Sequence, residues 1–259
     1  MKLAVYQIDA FAEKPFEGNP AAVCPLEFWL PDTVMQMIAE ENNLSETAFF
    51  VPTEAGFYIR WFTPTVEVDL CGHATMAAAY VLFESLGYEQ DSIAFESRSG
   101  LLRVSRAGEL LVLDFPAQPA TACETPAEIL HAFGIEPVAC LKAEDYLVVF
   151  EDEEDVLSAE PRLEQLRKLD GRGVIITAPS EKYDFVVRFF APKYGLNEDP
   201  VTGSAYTQLV PYWAERLGLH KFRARQLSSR GGDVICVADG NRVAIAGKAV
   251  KYMQGEIEI

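Results

Sequence analysis

The chain has 259 residues, 49% hydrophobic and 24% charged, the balance of a folded globular protein with one large domain or two of roughly 130 residues. Its formal net charge is −17, so neither nucleic acid nor an anionic membrane surface is an expected partner, because the chain would repel the phosphates that both present. The five cysteines lack paired spacing, so neither a disulfide framework nor a zinc knuckle is expected, and a reducing cytoplasm is the expected location.

The N-terminal segment MKLAVYQIDAF predicts no signal peptide. It carries one lysine, and its short apolar stretch ends at Asp9. The longest apolar runs, such as ATMAAAYVLF, are well below the roughly 20 residues that a membrane-spanning helix needs. No membrane association is therefore expected.

The first half predicts a helix, two strands, a buried helix and a strand meander, in that order. DTVMQMIAEENN predicts the first helix, and AFFVP and YIRWF predict strands, the second of which is broken by Pro64. A further helix is expected from Gly72 to Gly87, and its apolar residues lie nearly all round, which indicates burial. SIAFESRSG, LLRVSRAGE and LLVLDF then predict a meander with glycine turns.

The second half repeats this order. YIRWFTPTVEVDLCGHATMAAAYVLFESLG, which ends at Gly87, is similar to VVRFFAPKYGLNEDPVTGSAYTQLVPYWAERLG, which ends at Gly218. Gly72 corresponds to Gly203, and each is followed 15 positions later by the glycine of a Leu-Gly pair. PRLEQLRKLDGRG upstream predicts a helix, and RARQLSSRG, DVICVADGN and RVAIAG downstream predict a second meander. Similarity at a nearly constant offset indicates an internal duplication.

The duplication predicts an α+β protein of two pseudo-symmetric lobes, each a strongly curved, mostly antiparallel sheet wrapped around a central apolar helix. The expected lobes are residues 1–118 and 119–259, with the extreme C-terminal strand as a candidate to cross back to the first lobe. Three prolines in FPAQPATACETPAE, residues 115–128, predict a linker there. The acidic run EDEED, residues 151–155, is expected to form a solvated loop.

Two glycine-led helix starts, at Gly72-His73 and Gly203-Ser204, are the candidate binding positions. A helix start presents backbone N–H groups without helical partners and a partial positive charge of about half a unit. If the duplication makes the two starts face one cleft, they form a site for a small carboxylate without lysine or arginine. The alternative is that both glycines only permit a sharp turn into a helix.

Glu46 and Asp199 are the candidate proton-transfer groups, because each occurs in only one half. Glu46 precedes the apolar strand AFFVP, where a carboxylate would be desolvated and suited to general acid/base work. Its alternative interpretation is a capping box that begins at Asn43. Asp199 has the alternative of a plain helix N-cap, followed by Pro200 at the first helical position.

The chain resembles the phenazine-biosynthesis PhzF-like family through DAFAEKPFEGNPAAVC, NNLSETAFF, RWFTPTVEVDLCGHAT and EDPVTGSA. The resemblance implies the diaminopimelate epimerase fold, a homodimer, and cofactor-free movement of a proton between carbons of a small unsaturated carboxylate. It also implies roles for individual residues: Glu46 as acid/base, His73, Asp199 and Ser204 in substrate binding and proton handling, Gly72 and Gly203 in anion-binding turns, and Asn19 in the cleft lining.

Cys71 and His73 are the remaining reactive side chains of the first helix start. Racemases with this fold use two cysteines, one at each helix start, as paired acid and base. The position equivalent to Cys71 in the second half is Thr202, and a threonine hydroxyl is too weakly acidic to replace the second thiol. Cys71 is therefore expected to be a small buried hydrophobe, pointing away from His73. The helix dipole predicts a neutral His73 at pH 7. No histidine pair has metal-ligand spacing, so no metal is expected.

Two further functions stay open at the level of the sequence. A racemase or epimerase of small amino or hydroxy acids would need two bases, and Glu46 and Asp199 could serve. A non-catalytic protein that binds a small acid would keep the cleft without turnover. Product chirality separates the first alternative from an isomerase, and binding without turnover would reveal the second.

Overall fold

The computed structural model describes residues 1–259 and divides into two compact units. Unit 1 comprises Met1–Asp114 together with Ala246–Ile259, and unit 2 comprises Phe115–Ile245. The lobe limits expected from the sequence, 1–118 and 119–259, stay predictions. None of the helices combines the length and apolar character needed to cross a bilayer.

Unit 1 is built on strands with two helices between them. The strands that begin in this unit are β1 (Lys2–Ala10), β2 (Asn19–Pro25), β3 (Glu46–Thr53), β4 (Gly56–Phe62), β5 (Glu67–Val68), β6 (Ser92–Ser97), β7 (Gly100–Ala107), β8 (Leu110–Pro116) and β18 (Ala249–Glu258). The helices are α1 (Asp32–Asn42) and α2 (Gly72–Tyr80), and α2 continues into a π-helical turn, Val81–Ser85.

Unit 2 follows the same plan with more short helices. Its strands are β9 (Thr121–Ala122), β10 (Ala139–Lys142), β11 (Tyr146–Val149), β12 (Val174–Pro179), β13 (Phe185–Ala191), β14 (Leu196–Asp199), β15 (Lys221–Gln226), β16 (Gly232–Asp239) and β17 (Arg242–Gly247). Its helices are α3 (Ala127–Phe133), α4 (Glu153–Leu157), α5 (Leu163–Leu166) and α6 (Tyr206–Leu217), with 3₁₀ turns at Pro192–Tyr194 and Gly203–Ala205.

The strand pairings are the same in both units. In unit 1, β2 is parallel to β3, β3 antiparallel to β4, β4 parallel to β6, and β6 antiparallel to β7. In unit 2, β11 is parallel to β12, β12 antiparallel to β13, β13 parallel to β15, and β15 antiparallel to β16. The predicted α+β fold with repeated sheets is confirmed.

Helix α2 is the buried helix of unit 1. It contacts strands β1, β2, β3, β7 and β18, and the side chains of Met76, Ala77, Ala78 and Ala79 have no exposed surface. Alanines permit this because their small side chains let the strands approach the helix closely. The prediction that an all-round apolar helix is buried is therefore confirmed.

Helix α6 is the counterpart in unit 2, and its exposed residues lie at its C-terminal end. Its N-terminal residues are buried, and the ring of Trp213 stacks on that of Phe185 with centroids 5.5 Å apart. The helix ends at Gly218, which adopts the left-handed conformation expected for a glycine C-cap. The Leu-Gly signal therefore marked this helix end correctly.

Two elements differ from the sequence prediction. The acidic run forms part of α4, because three carboxylates in the first turn of a helix are stabilised by the helix dipole. The helix expected from PRLEQLRKLDGRG is reduced to the short α5, and the chain leaves it before Asp170. The carboxylate of Asp170 accepts a hydrogen bond from Tyr146 Oη at 2.6 Å and pairs with Lys142.

Candidate active site

Parallel pairing of β2 and β3 positions Glu46 in unit 1. Glu46 is the first residue of β3 and lies opposite Ala21, two residues after Asn19 begins β2. Asn43 ends α1 in the left-handed conformation, so it does not begin a helix, and the capping-box interpretation of Glu46 is wrong. The Glu46 side chain is 17% exposed and turns toward the start of α2.

The contact between Glu46 and His73 is the centre of this group. Glu46 Oε2 lies 3.1 Å from His73 Nε2, and the imidazole is 6% exposed. The two atoms form an ion pair that lacks good hydrogen-bond alignment, and neither has another hydrogen-bond partner. Buried polar atoms without aligned partners are costly in a folded protein and are typical of sites that bind a ligand.

Asn19 and Cys71 contact the other nitrogen of the same imidazole. Asn19 Nδ2 lies 3.2 Å and Cys71 Sγ 3.5 Å from His73 Nδ1. With the amide in this orientation, Asn19 donates to Nδ1, and the ring proton on Nε2 faces Glu46. A second proton on Nδ1 requires the Asn19 amide to rotate and present its oxygen.

Opposing contacts act on the pKa of His73. Burial alone lowers the pKa of His73, but its contacts with Cys71 and Glu46 raise that pKa well above 6.5. Burial also raises the pKa of the Cys71 thiol to about 11, so the thiol is neutral at pH 7. The neutral His73 stays a prediction: the contact with Glu46 favours the charged imidazole, whereas the Asn19 amide that donates to Nδ1 favours the neutral one.

Cys71 is buried, as expected, and caps α2 from an extended backbone conformation. Its side chain nevertheless contacts His73, so the expectation that the two side chains point apart is wrong. The reason is that Cys71 precedes the helix, where helical spacing rules do not apply. A thiol whose pKa is about 11 is a poor nucleophile at pH 7.

In unit 2, Asp199 ends β14, and the loop that follows it leads to the second glycine-led turn. Thr202 caps this turn from an extended conformation, as Cys71 does for α2, so the N-cap interpretation of Asp199 is wrong. The Thr202 hydroxyl donates to Asp199 Oδ2, and Gln226 accepts from the Thr202 backbone N–H at 2.8 Å. Gln226 also donates to the Asp199 carbonyl at 2.7 Å. The loop that leads to Gly203 is thus fixed by buried hydrogen bonds.

An ion pair that the sequence did not predict supports Ser204, and its carboxylate is buried. Arg172 Nε donates to Asp145 Oδ1 at 2.9 Å, and Arg172 Nη2 donates to Ser204 Oγ at 3.0 Å. Asp145 has no exposed surface and also accepts from Gln208 Nε2 at 3.1 Å. The only local feature of the sequence that could have marked Arg172 is its position between two glycines. One of them, Gly173, allows Phe189 and Phe190 to approach the backbone closely.

The predicted residues fall into one group in each unit. Asn19, Glu46, Gly72 and His73 lie together in unit 1. Asp199, Gly203 and Ser204 lie along one segment of unit 2. Their combination in one ligand site stays a prediction.

Three side chains of unit 1 have the chemistry of a metal site. The ligand atoms of Glu46, Cys71 and His73 lie within 4.8 Å of one another. Such a donor set suits Zn²⁺, but binding would have to displace the thiol proton of Cys71. Histidine spacing could not reveal this cluster because it contains one histidine. The expectation that no metal is used stays a prediction.

Comparison with known proteins identifies the family. The family model described as phenazine biosynthesis-like protein, PhzC-PhzF, matches residues 8–255. An uncharacterized isomerase of Pseudomonas aeruginosa is 51% identical over 259 residues, covering 100% of both chains. A hydroxyproline epimerase of Agrobacterium vitis is 11% identical with a TM-score of 0.64, over 99% of this chain and 92% of its own, which shows a similar fold alone.

A solved structure agrees with this assignment over the whole chain. It is a phenazine biosynthesis protein of the PhzF family from Enterococcus faecalis, 45% identical with a TM-score of 0.98, and the match covers 100% of both chains. The chain therefore belongs to the phenazine biosynthesis-like PhzC-PhzF family, and it is an isomerase.

Proposed function

We propose that this isomerase moves a proton between two carbons of a small unsaturated carboxylic acid, with Glu46 as the acid/base. The observation that carries the proposal is the pairing of a largely buried glutamate with a buried histidine at a helix start. A carboxylate in such a position can transfer protons to and from a ligand without exchange with bulk water at every step.

In the proposed reaction Glu46 accepts a proton from an activated C–H bond, and the electron pair of that bond spreads into the conjugated acid. Glu46 then returns the proton to another carbon, so the reaction needs no net proton and no redox partner. His73, when protonated, stabilises the Glu46 carboxylate before transfer and donates a hydrogen bond to the developing anion. A positioned acid/base of this kind supplies about 10²- to 10⁴-fold in rate.

The helix starts are proposed to bind the carboxylate of the substrate. In unit 1 the backbone N–H groups of Gly72 and His73 begin α2, where the helix dipole favours an anion. In unit 2 Gly203 and Ser204 begin the 3₁₀ turn before α6. Because Arg172 donates to Ser204 Oγ, that oxygen is engaged as an acceptor, and its own hydrogen is left to donate to an anion.

Proton exchange tests this function. A panel of small unsaturated carboxylic acids is incubated with the protein in D₂O, and deuterium entering each carbon is followed by ¹H NMR. Glu46→Gln should lower the exchange rate by at least about 10²-fold. The matched control Glu54→Gln, which removes an exposed carboxylate from the turn after β3, should exchange like the wild type. Equal exchange by Glu46→Gln would remove Glu46 from its proposed role.

Epimerisation is the second candidate, because unit 2 also holds a buried carboxylate, Asp199, beside a helix start. Two bases on opposite faces of a carbon would invert its configuration. Deuterium that enters a stereocentre together with loss of optical activity favours this reaction. Deuterium that enters a second carbon with movement of the double bond favours the proton shift.

Cofactor independence, a homodimeric assembly and a cytoplasmic location stay predictions for this chain. Light scattering on the purified protein measures its assembly. The identity of the acid follows from whichever member of the panel exchanges deuterium.

A further inference from the structure

Cys140 lies on β10, and Cys123 directly follows β9, the strand that pairs with β10 in unit 2. The antiparallel register of β9 and β10 pairs Ala122 with Leu141 and continues to these cysteines. The backbone N–H of Cys123 donates to the Cys140 carbonyl at 2.9 Å, and the two Sγ atoms lie 3.7 Å apart. The pair is remote in chain position from every residue used in the proposed function.

The backbone geometry suits a disulfide. Hydrogen-bonded positions of an antiparallel pair have Cα atoms about 5.5 Å apart, which is within the usual range for disulfide-linked cysteines. A disulfide bond measures about 2.05 Å, so the sulfurs must approach by less than 2 Å. Side-chain rotation supplies a movement of that size without a change in strand pairing.

The two thiols differ in access. Cys123 is exposed, whereas Cys140 is buried against the core that contains Ile129 and Tyr146. Burial and the neighbouring Cys123 raise the pKa of Cys140 to about 12, while a hydrogen bond with Thr125 opposes that rise. A reagent in solution therefore meets Cys123 first, and Cys140 is placed behind it.

We propose that Cys123 and Cys140 form a modification site at which a small disulfide, such as oxidised glutathione, creates an intrachain disulfide. The Cys123 thiolate attacks the small disulfide, forms a mixed disulfide and releases one glutathione thiolate. Cys140, whose thiol must first lose its proton to base and therefore reacts faster at alkaline pH, then attacks Cys123 Sγ and displaces the second glutathione thiolate. Two protein thiols are oxidised, one small disulfide is reduced to two thiols, and the two protein protons go to the released thiolates.

The disulfide would close residues 123–140 into a loop that contains α3. Ile129 and Ala132 of this helix are buried in the same core as Cys140. Cross-linking restricts the unfolded chain, so the oxidised protein should melt several degrees higher than the reduced protein.

The test uses the folded, full-length protein. It is incubated with oxidised glutathione at alkaline pH, quenched in acid, unfolded and alkylated, and the alkylated thiols are counted by mass spectrometry. The reduced protein has five free cysteines, so the disulfide leaves three to alkylate. Peptide mapping should place the cross-link between Cys123 and Cys140.

Two variants separate the steps. Cys140→Ser should stop at a stable glutathione adduct on Cys123, and Cys123→Ser should remain unmodified because Cys140 is buried. The peptide map of the wild type is decisive even if a variant fails to fold. A glutathione adduct that persists on wild-type Cys123, a cross-link to another cysteine, or no reaction would each overturn the proposal.

Discussion

Replacement of Arg172 by methionine should destabilise unit 2 strongly, because it leaves a charge without its partner in the protein interior. Asp145 has no exposed surface, and after the change its carboxylate keeps the hydrogen bond from Gln208 Nε2 at 3.1 Å. Removing one partner of a buried ion pair costs about 3–5 kcal/mol. The Arg172 side chain is 30% exposed, which permits partial solvation and places the expected loss near 3 kcal/mol.

The matched control is the pair formed by Arg225 and Asp233, whose side chains are 31% and 40% exposed. Pairs with such solvent access contribute about 0–1 kcal/mol, so Arg225→Met should cost little. Urea unfolding measures both variants, and the midpoint for Arg172→Met should be lower by about 1 M. Adding Asp145→Asn to Arg172→Met should recover part of the loss. Equal midpoints for the two arginine variants would refute the argument from burial.

Three further predictions concern unit 1. The pKa of His73 in the folded protein is raised above 6.5, so the stability that its charge contributes is complete below pH 6.5 and is lost as the pH rises through the folded pKa. His73→Asn should therefore flatten the dependence of the free energy of unfolding on pH over that window. An unchanged pH profile would contradict the ion pair with Glu46. Cys71→Ala should keep proton exchange within about 10-fold of the wild-type rate, because the thiol that it removes is neutral at pH 7. A loss of exchange as large as that in Glu46→Gln would indicate that the thiol takes part in the chemistry. Dialysis of the protein against a chelator should leave proton exchange unchanged, whereas added Zn²⁺ should inhibit exchange by binding to Glu46 and His73. Activity that is lost after dialysis and restored by a metal ion would contradict the mechanism.

The fold was predictable where a single local signal determines an element. The alanine-rich segment after Gly72 is apolar on all sides, so it is stable as a helix only in the protein interior. Glycine turns mark the ends of the strands in both meanders. The repeat of these signals at a nearly constant offset predicted that both units would pair their strands alike. The acidic run was predicted to be a loop, but part of it begins α4. Carboxylates are common both in solvated loops and in the first turn of a helix, where the helix dipole stabilises them, so the residue types alone could not separate the two.

The candidate site was predictable in its residues but not in its electrostatics. Glu46 and His73 were expected to act in one site, but their direct contact, which favours a charged imidazole, was not expected. Arg172 and Asp145 were missed because they lie in separate loops and meet only in the folded chain. Neither residue lies in a periodic pattern, so only the structure could reveal that Ser204 accepts a hydrogen bond from the guanidinium of Arg172.

The fate of the transferred proton tests the role of Glu46 most directly. The substrate found by the exchange screen is prepared with deuterium on the carbon that loses its proton and is converted in ordinary water in a single turnover. If Glu46 both removes and returns the proton, the product carries part of that deuterium on the receiving carbon, because the carboxylate is largely shielded from water. Product without any deuterium on that carbon would contradict transfer by a single carboxylate.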